Sequence, residues 1–199
     1  MRMFFDTETT DWWRFDLPTT DDRQPHMMQV AAILETEDGR VVGAISALLS
    51  QRDWPSRSRV RLDPRVVELC GVTDDLVDRF GQPPQAVWNT LSIMVSHARE
   101  IVAHNIEFDI GVLQRTAAAL GTPMLALPER RVCTMRESTE IVGLRRPSGQ
   151  PKWPKLAEAY AHFAQRPMSG AHDALSDVYA CRAVLRGISR HRERATPPA

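Results

Sequence analysis

Residues 3–13, MFFDTETTDWW, place two carboxylates, Asp6 and Glu8, two positions apart behind an apolar run. If that run is a β-strand, alternation sends both side chains to the same face. Like charges about 4 Å apart repel by roughly 4 kcal/mol at an effective dielectric of about 20. Either the pair is a solvated strand end or something positive sits between the two. Three further groups belong to the same pattern. Asp109 falls one turn into a helix predicted to start after Asn105, near the positive N-terminal end where a carboxylate is favoured. The stretch GAHDALSD (170–177) sets His172 just before a helix and Asp177 about one turn inside it, with Asp173 available as its cap. Taken singly, each has an ordinary explanation: a helix-terminus charge, a loop or capping residue, a solvated helical face. Together they place four acids at strand exits and helix starts, the ends that commonly converge on one rim of an α/β sheet.

The elements that must position these groups are legible from period and punctuation. After the first strand, residues 9–25 read as a polar loop carrying Trp12, Trp13, Pro18 and Pro25. The stretch from His26 to Ser50 reads as a β-hairpin turned at Asp38-Gly39. Residues 63–77 predict a short helix closed by Gly71 and then a second turn. Residues 83–99 carry Val87, Leu91, Met94, Val95 and Ala98 at helical spacing, and EIVAHN (100–105) predicts a buried strand. Ile106, Ile110, Leu113, Ala117 and Leu120 form the stripe of the next helix, with Asn105 as its cap and Gly121 and Pro123 ending it. A short strand over 130–135 and helices over 153–164 and 173–188 complete the series, and 189–199 reads as a frayed polar tail. The pattern is that of one α/β domain over residues 1–188.

Composition sets the outer bounds. The chain has 199 residues, 43% apolar and 25% charged, with 25 basic and 25 acidic side chains that cancel. The sum therefore argues for no polyanionic partner. The distribution says more: arginines gather in 51–61, 129–131, 143–147 and 186–194, and the only lysines are Lys152 and Lys155. An arginine-dominated set suits phosphate contact, and GC-rich coding would produce it equally. No run approaches the ~20 apolar residues of a membrane span, and the N-terminus lacks a signal peptide's regions. Cys70, Cys133 and Cys181 are scattered without metal-ligand spacing, which predicts reduced thiols in a cytoplasmic protein.

With FFDTETTD (4–11), AHNIEFDIGVL (103–113) and HDALSD (172–177) in this order and context, the chain resembles the DEDDh-type, DnaQ-like 3′–5′ exonucleases of the RNase H-like superfamily. CGVTDDLV (70–77) and KWPKLAEAY (152–160) resemble further segments of that family. The resemblance implies an RNase H-like fold, a mixed five-stranded sheet flanked by helices. It also implies that Asp6, Glu8, Asp109 and Asp177 hold two divalent cations, for which hard oxygen ligands suit Mg²⁺ or Mn²⁺. Such a pair of ions, about 3.5–4 Å apart, activates the attacking water and stabilises the leaving 3′-oxygen. His172 is then the general base, since imidazole titrates near 6.5 and is available neutral at physiological pH; a role as metal ligand is the competing reading.

The same resemblance places Glu8 and the backbone at Thr9 against the terminal 3′-hydroxyl, and Asn105 and Phe108 near the substrate. Capping and core packing explain the last two equally well. Where family members often carry a glycine and an apolar wedge, this chain has Asp11 and Trp12, so Trp12 is expected to stack on a terminal base unless it folds onto the core. Arg145, Arg146, Lys152 and Lys155 are candidates for tracking the phosphate backbone. The expected activity is release of nucleoside 5′-monophosphates from a free 3′ end, with single-stranded DNA favoured, in proofreading, repair or end trimming, with a polymerase or repair partner in view. An RNA-trimming enzyme of the same chemistry and a catalytically silent nucleic-acid-binding module are the alternatives.

Overall fold

The computed structural model describes residues 1–55 and 60–195; Arg57 and Arg59 of the arginine-rich stretch and residues 196–199 of the tail lie outside them. The N-terminal apolar run forms strand β1 (Arg2–Thr9), and its alternation separates core from chemistry. Met3 and Phe5 pack into one layer and Phe4 into the opposite one. By the two-residue period, Asp6 and Glu8 leave the sheet on Phe4's face and Thr7 on the other.

The hairpin forms as expected from β2 (Met27–Glu35) and β3 (Val41–Leu48), with Gly39 at φ 85° in the turn. β2 is buried along its whole length because both its faces are covered, whereas edge strand β3 alternates. Strands β4 (Glu100–Ala103) and β5 (Arg130–Cys133) run parallel to β1, giving the mixed order β3-β2-β1-β4-β5. Helices α1 (Pro64–Cys70) and α2 (Asp74–Phe80) precede α3 (Pro84–His97), which joins α4 (Ile106–Leu120) in covering the Met3/Phe5 face. After β5 come α5 (Thr134–Val142), α6 (Leu156–Ala164) and α7 (Ala174–Ala195); α7 covers the Phe4 face with Val178, Cys181 and Leu185. The three cysteines are free thiols.

Three expectations are corrected. The segment after Gly71 is helix α2, not a turn: the Thr73 side chain accepts from Leu76 N–H, and Asp74 and Asp75 sit in the first turn, an N-cap signature that reads like turn chemistry. The strand over 130–135 ends at Cys133 and passes directly into α5, whose buried residues are Thr134, Met135, Ser138 and Thr139. A buried face that is mostly hydroxyls, with Ser138 and Thr139 bonding back to the Met135 carbonyl, shows no apolar period. The helix expected over 173–188 runs on to Ala195: residues 189–195 are its exposed last turns, with no proline or glycine between Gly187 and Pro197, and Arg192 there pairs with Glu137 of α5.

One close approach fixes α7 against α6. A Cβ on Gly187 would lie 2.4 Å from Cγ and 2.7 Å from Cβ of Phe163. Because Phe163 Cβ itself is in the way, rotating the ring gives no relief. Gly187→Ala gains about 1 kcal/mol in helix propensity, yet overpacking of this kind costs about 1–3 kcal/mol and occasionally more. The expected outcome is a net loss of about 1 kcal/mol or more in urea unfolding, and a stabilised variant would refute the contact.

Candidate active site

Each acid is delivered by a different element, and polar side chains hold the delivery. Asp109, in the first turn of α4, is buried, and its Oδ1 accepts from Thr7 N–H at 3.0 Å and Thr7 Oγ1 at 2.8 Å. Thr7 thus ties α4 to the strand residue between Asp6 and Glu8. Gln29 stands opposite Glu8 in the β1–β2 register. Its side-chain amide donates to Asp173 Oδ1 at 3.0 Å and its carbonyl oxygen accepts from Ala174 N–H at 3.2 Å, which pins the start of α7 to the sheet. Asp173 caps α7 as expected, accepting from Ser176 N–H and Oγ. His172 sits just before, exposed and left-handed at φ 65°.

These constraints gather the charges. Burial, then the charges of Asp109, Asp177, Glu8 and Asp173, hold the Asp6 carboxyl well above the usual carboxylate range. Burial, reinforced by Asp177, Asp109 and Asp173, pushes Glu8 up to about 8. Burial raises Asp109 to about 7 despite the Thr7 hydrogen bonds, and Asp177 to about 6 despite the His172 backbone N–H. Ligand atoms of Glu8, His172 and Asp177 lie within 4.8 Å of one another; Asp6 and Asp109 stand outside that closest set and join it through their charges. Asp177 Oδ1 is buried with no hydrogen-bond partner among the described residues. An oxygen-rich cluster holding protons it would ordinarily lose, with an acceptor left orphaned, fits hard divalent cations.

The raised values give stability a direction with pH. Unfolded carboxyls titrate near 4, whereas these titrate up to about 8 when folded. Between those limits the native chain binds more protons than the unfolded one, so stability from this cluster is full below about pH 4 and is lost as pH rises towards 8. Melting in chelator is therefore expected to fall over that window. Added Mg²⁺ or Mn²⁺ should raise the melting temperature more at pH 8 than at pH 5, where the ligands must first shed protons. A cation shift equal at both pH values would contradict the cluster.

Glu8 and His172 also line an apolar cavity of about 280 Å³ together with Thr9, Trp12 and Phe108. Trp12 is 52% exposed, so it is not folded onto the core. That place belongs to Trp13, edge-on to Phe108 with centroids 5.8 Å apart. Thr9 is buried, with its hydroxyl donating to the Asp11 carbonyl at 2.8 Å. Asn105 departs from expectation: it precedes α4 in a left-handed conformation at φ 69°, and its side chain makes no capping bond. Of the basic candidates, Arg145 pairs with Glu140 and Lys152 with Glu158, while the charge of Lys155 reaches His172. His104 is structural, bonding Thr134 Oγ1 and the Pro154 carbonyl.

Sequence reasoning missed Thr7 and Gln29. For Gln29 a signal existed, a lone amide within the apolar strand MMQVAAIL; for Thr7 there was none, since its partner is 102 residues away.

The mixed five-stranded sheet covered by helices on both faces is the architecture expected, and it carries a carboxylate cluster at the end of its central strand. The chain belongs to the exonuclease family, matching the RNase T family over residues 3–185. Among solved structures it is similar to Escherichia coli exonuclease I in complex with a dT13 oligonucleotide, at 17% identity and a TM-score of 0.70, over 98% of this chain and 42% of that one. The zinc-bound form of an E. coli exonuclease I–single-stranded DNA complex is similar at 18% identity and a TM-score of 0.69, over 97% and 41%. A moderately thermophilic exonuclease I from Methylocaldum szegediense is similar at 19% identity and a TM-score of 0.67, over 97% and 41%. At these identities the likeness is one of fold, and the chain spans about two-fifths of the length of those proteins. Comparison with curated proteins finds no match.

Proposed function

We propose that this chain removes nucleoside 5′-monophosphates from the 3′ end of nucleic acid, with single-stranded DNA the favoured substrate. The observation that carries the reading is the convergence of Asp6, Glu8, Asp109 and Asp177, from three distant segments, on one partly buried cluster beside His172. In this reading the four acids hold two divalent cations, Mg²⁺ or Mn²⁺. When bound, the cations neutralise the carboxylates and polarise the phosphodiester. His172 takes the proton of the attacking water on a ring nitrogen, Glu8 and the Thr9 backbone meet the terminal 3′-hydroxyl, and Trp12 stacks on the terminal base. Asn105, free of capping, and Phe108 stand at the substrate's edge. The family match and the oligonucleotide carried by the similar exonuclease I support this substrate class.

No helix among the described residues is long and apolar enough to cross a membrane, and the free thiols support a cytoplasmic setting in proofreading, repair or end trimming, beside a polymerase or repair partner. The test is degradation of 5′-labelled single- and double-stranded DNA and RNA with Mg²⁺, Mn²⁺ or chelator. A ladder shortening from the 3′ end of single-stranded DNA, abolished by chelator, is expected. Faster loss of RNA would reassign the sugar preference and keep the chemistry. Binding with no degradation in either cation would leave a binding module and overturn the enzyme.

A further inference from the structure

We propose that Lys155 holds a non-bridging oxygen of the scissile phosphate beside His172, and that His104 is the positioning residue that sets Lys155 there through the Pro154 carbonyl. This rests on the nuclease reading above and adds to it a substrate contact from the segment ahead of α6. The half-buried His104 follows β4, and both its ring nitrogens are engaged, Nε2 with the Pro154 carbonyl and Nδ1 with Thr134 Oγ1, each at 3.0 Å. A carbonyl only accepts, so Nε2 carries the proton. Partial desolvation lowers the ring's pKa, which leaves it neutral at pH 7 and makes Nδ1 an acceptor. The Thr134 hydroxyl then gives its one proton to Nδ1 rather than to the Ala103 carbonyl at 3.4 Å, and its oxygen accepts from Cys181 S–H at 3.4 Å. One chain of hydrogen bonds, Cys181 to Thr134 to His104 to Pro154, thus runs from α7, one turn past Asp177, to the residue before Lys155.

Lys155 is fixed from its other side as well. Its N–H donates to the Glu158 carboxylate at 2.8 Å, and the next residue, Leu156, packs against the cluster that Phe4 forms with Ala174 and Val178 of α7. With Pro154 and Leu156 both anchored, the exposed Lys155 side chain leaves from beside α7, and its charge is felt at His172. Lys152 takes up Glu158 at 2.6 Å, so no carboxylate among the described residues pairs with the Lys155 ammonium. A cation set beside a general base disfavours the imidazolium that proton transfer forms, unless an anion comes between them. The scissile phosphate is the anion that the reaction brings, and a lysine ammonium binds phosphate as a point charge.

The test is steady-state degradation of 5′-labelled single-stranded DNA with Mg²⁺, run as a double-mutant cycle. Lys155→Ala is expected to lower kcat/KM about tenfold or more, the scale of one hydrogen bond to a charged group, with Lys155→Arg restoring most of it. His104→Phe, which fills the same space without the Nε2–H, should cost a similar factor. His104→Gln keeps a side-chain N–H for the Pro154 carbonyl and should stay within about threefold of wild type. In the Lys155→Ala background His104→Phe should cost nothing further, since residues acting as one unit are not additive. Losses that multiply would make His104 a brace of the fold and overturn its role. Should His104→Phe fail to fold, Thr134→Val, which removes the donor to Nδ1, replaces it in the cycle with the same two outcomes. If wild type degrades single strands and Lys155→Ala does so within about twofold, this inference fails and the nuclease reading stands. If wild type degrades no strand, both fail.

Discussion

Asp6→Asn is expected to lower the rate of degradation by about 10³-fold or more while making the metal-free protein more stable. The two effects share one cause. Asp6 is partly buried among the charges of Asp109, Asp177, Glu8 and Asp173, all of which raise its carboxyl. A neutral isostere removes one member of a self-repelling set, so the folded chain without cations gains. In the proposed reading the same carboxylate helps hold the cations whose charge stabilisation contributes several kcal/mol, and each 1.36 kcal/mol is a factor of ten in rate. Single-turnover degradation with Mg²⁺ and thermal unfolding in chelator measure the two halves separately. A variant within tenfold of wild type would remove Asp6 from the reacting centre. One that melts lower would mean that Asp6 serves the fold.

His172→Ala should lower kcat by about 10²- to 10⁴-fold, the range for a positioned general base. Partial desolvation of the ring by its neighbours, then the charge of Lys155, lowers the imidazole's pKa below its ordinary value of 6.5. The ring is therefore neutral and able to accept a proton at pH 7, and kcat should fall only as pH drops through that lowered value. The experiment also decides between base and ligand, which the approach of His172 to Glu8 and Asp177 within 4.8 Å leaves as rival roles. A base predicts that Mn²⁺ affinity, by titration calorimetry, survives the substitution; a ligand predicts that it falls along with kcat.

Much of the fold was legible because its signals are local. The Asp38-Gly39 turn, the α4 stripe ending at Gly121 and the Asp173 cap are each written within a few residues, and each forms as expected. The misreadings come from places where local chemistry is ambiguous. Thr73-Asp74-Asp75 serves a helix start as well as a turn, and α5 hides its buried face in hydroxyls. Asn105 has a capping residue's identity, but its left-handed backbone leaves the side chain without a capping bond.

By itself the sequence determined the residue types able to do chemistry, their order, and the element that carries each, because alternation and helical period assign faces with no knowledge of the rest of the chain. Only the tertiary structure decided that these residues meet. Thr7 reaching Asp109 and Gln29 holding the head of α7 are contacts across more than a hundred residues. Which loop side chains turn inward was decided there too, with Trp13 packed edge-on to Phe108 and Phe15 left exposed. The shifted carboxyls belong to the same level, since burial and mutual repulsion exist only once the sheet and α7 have closed around them.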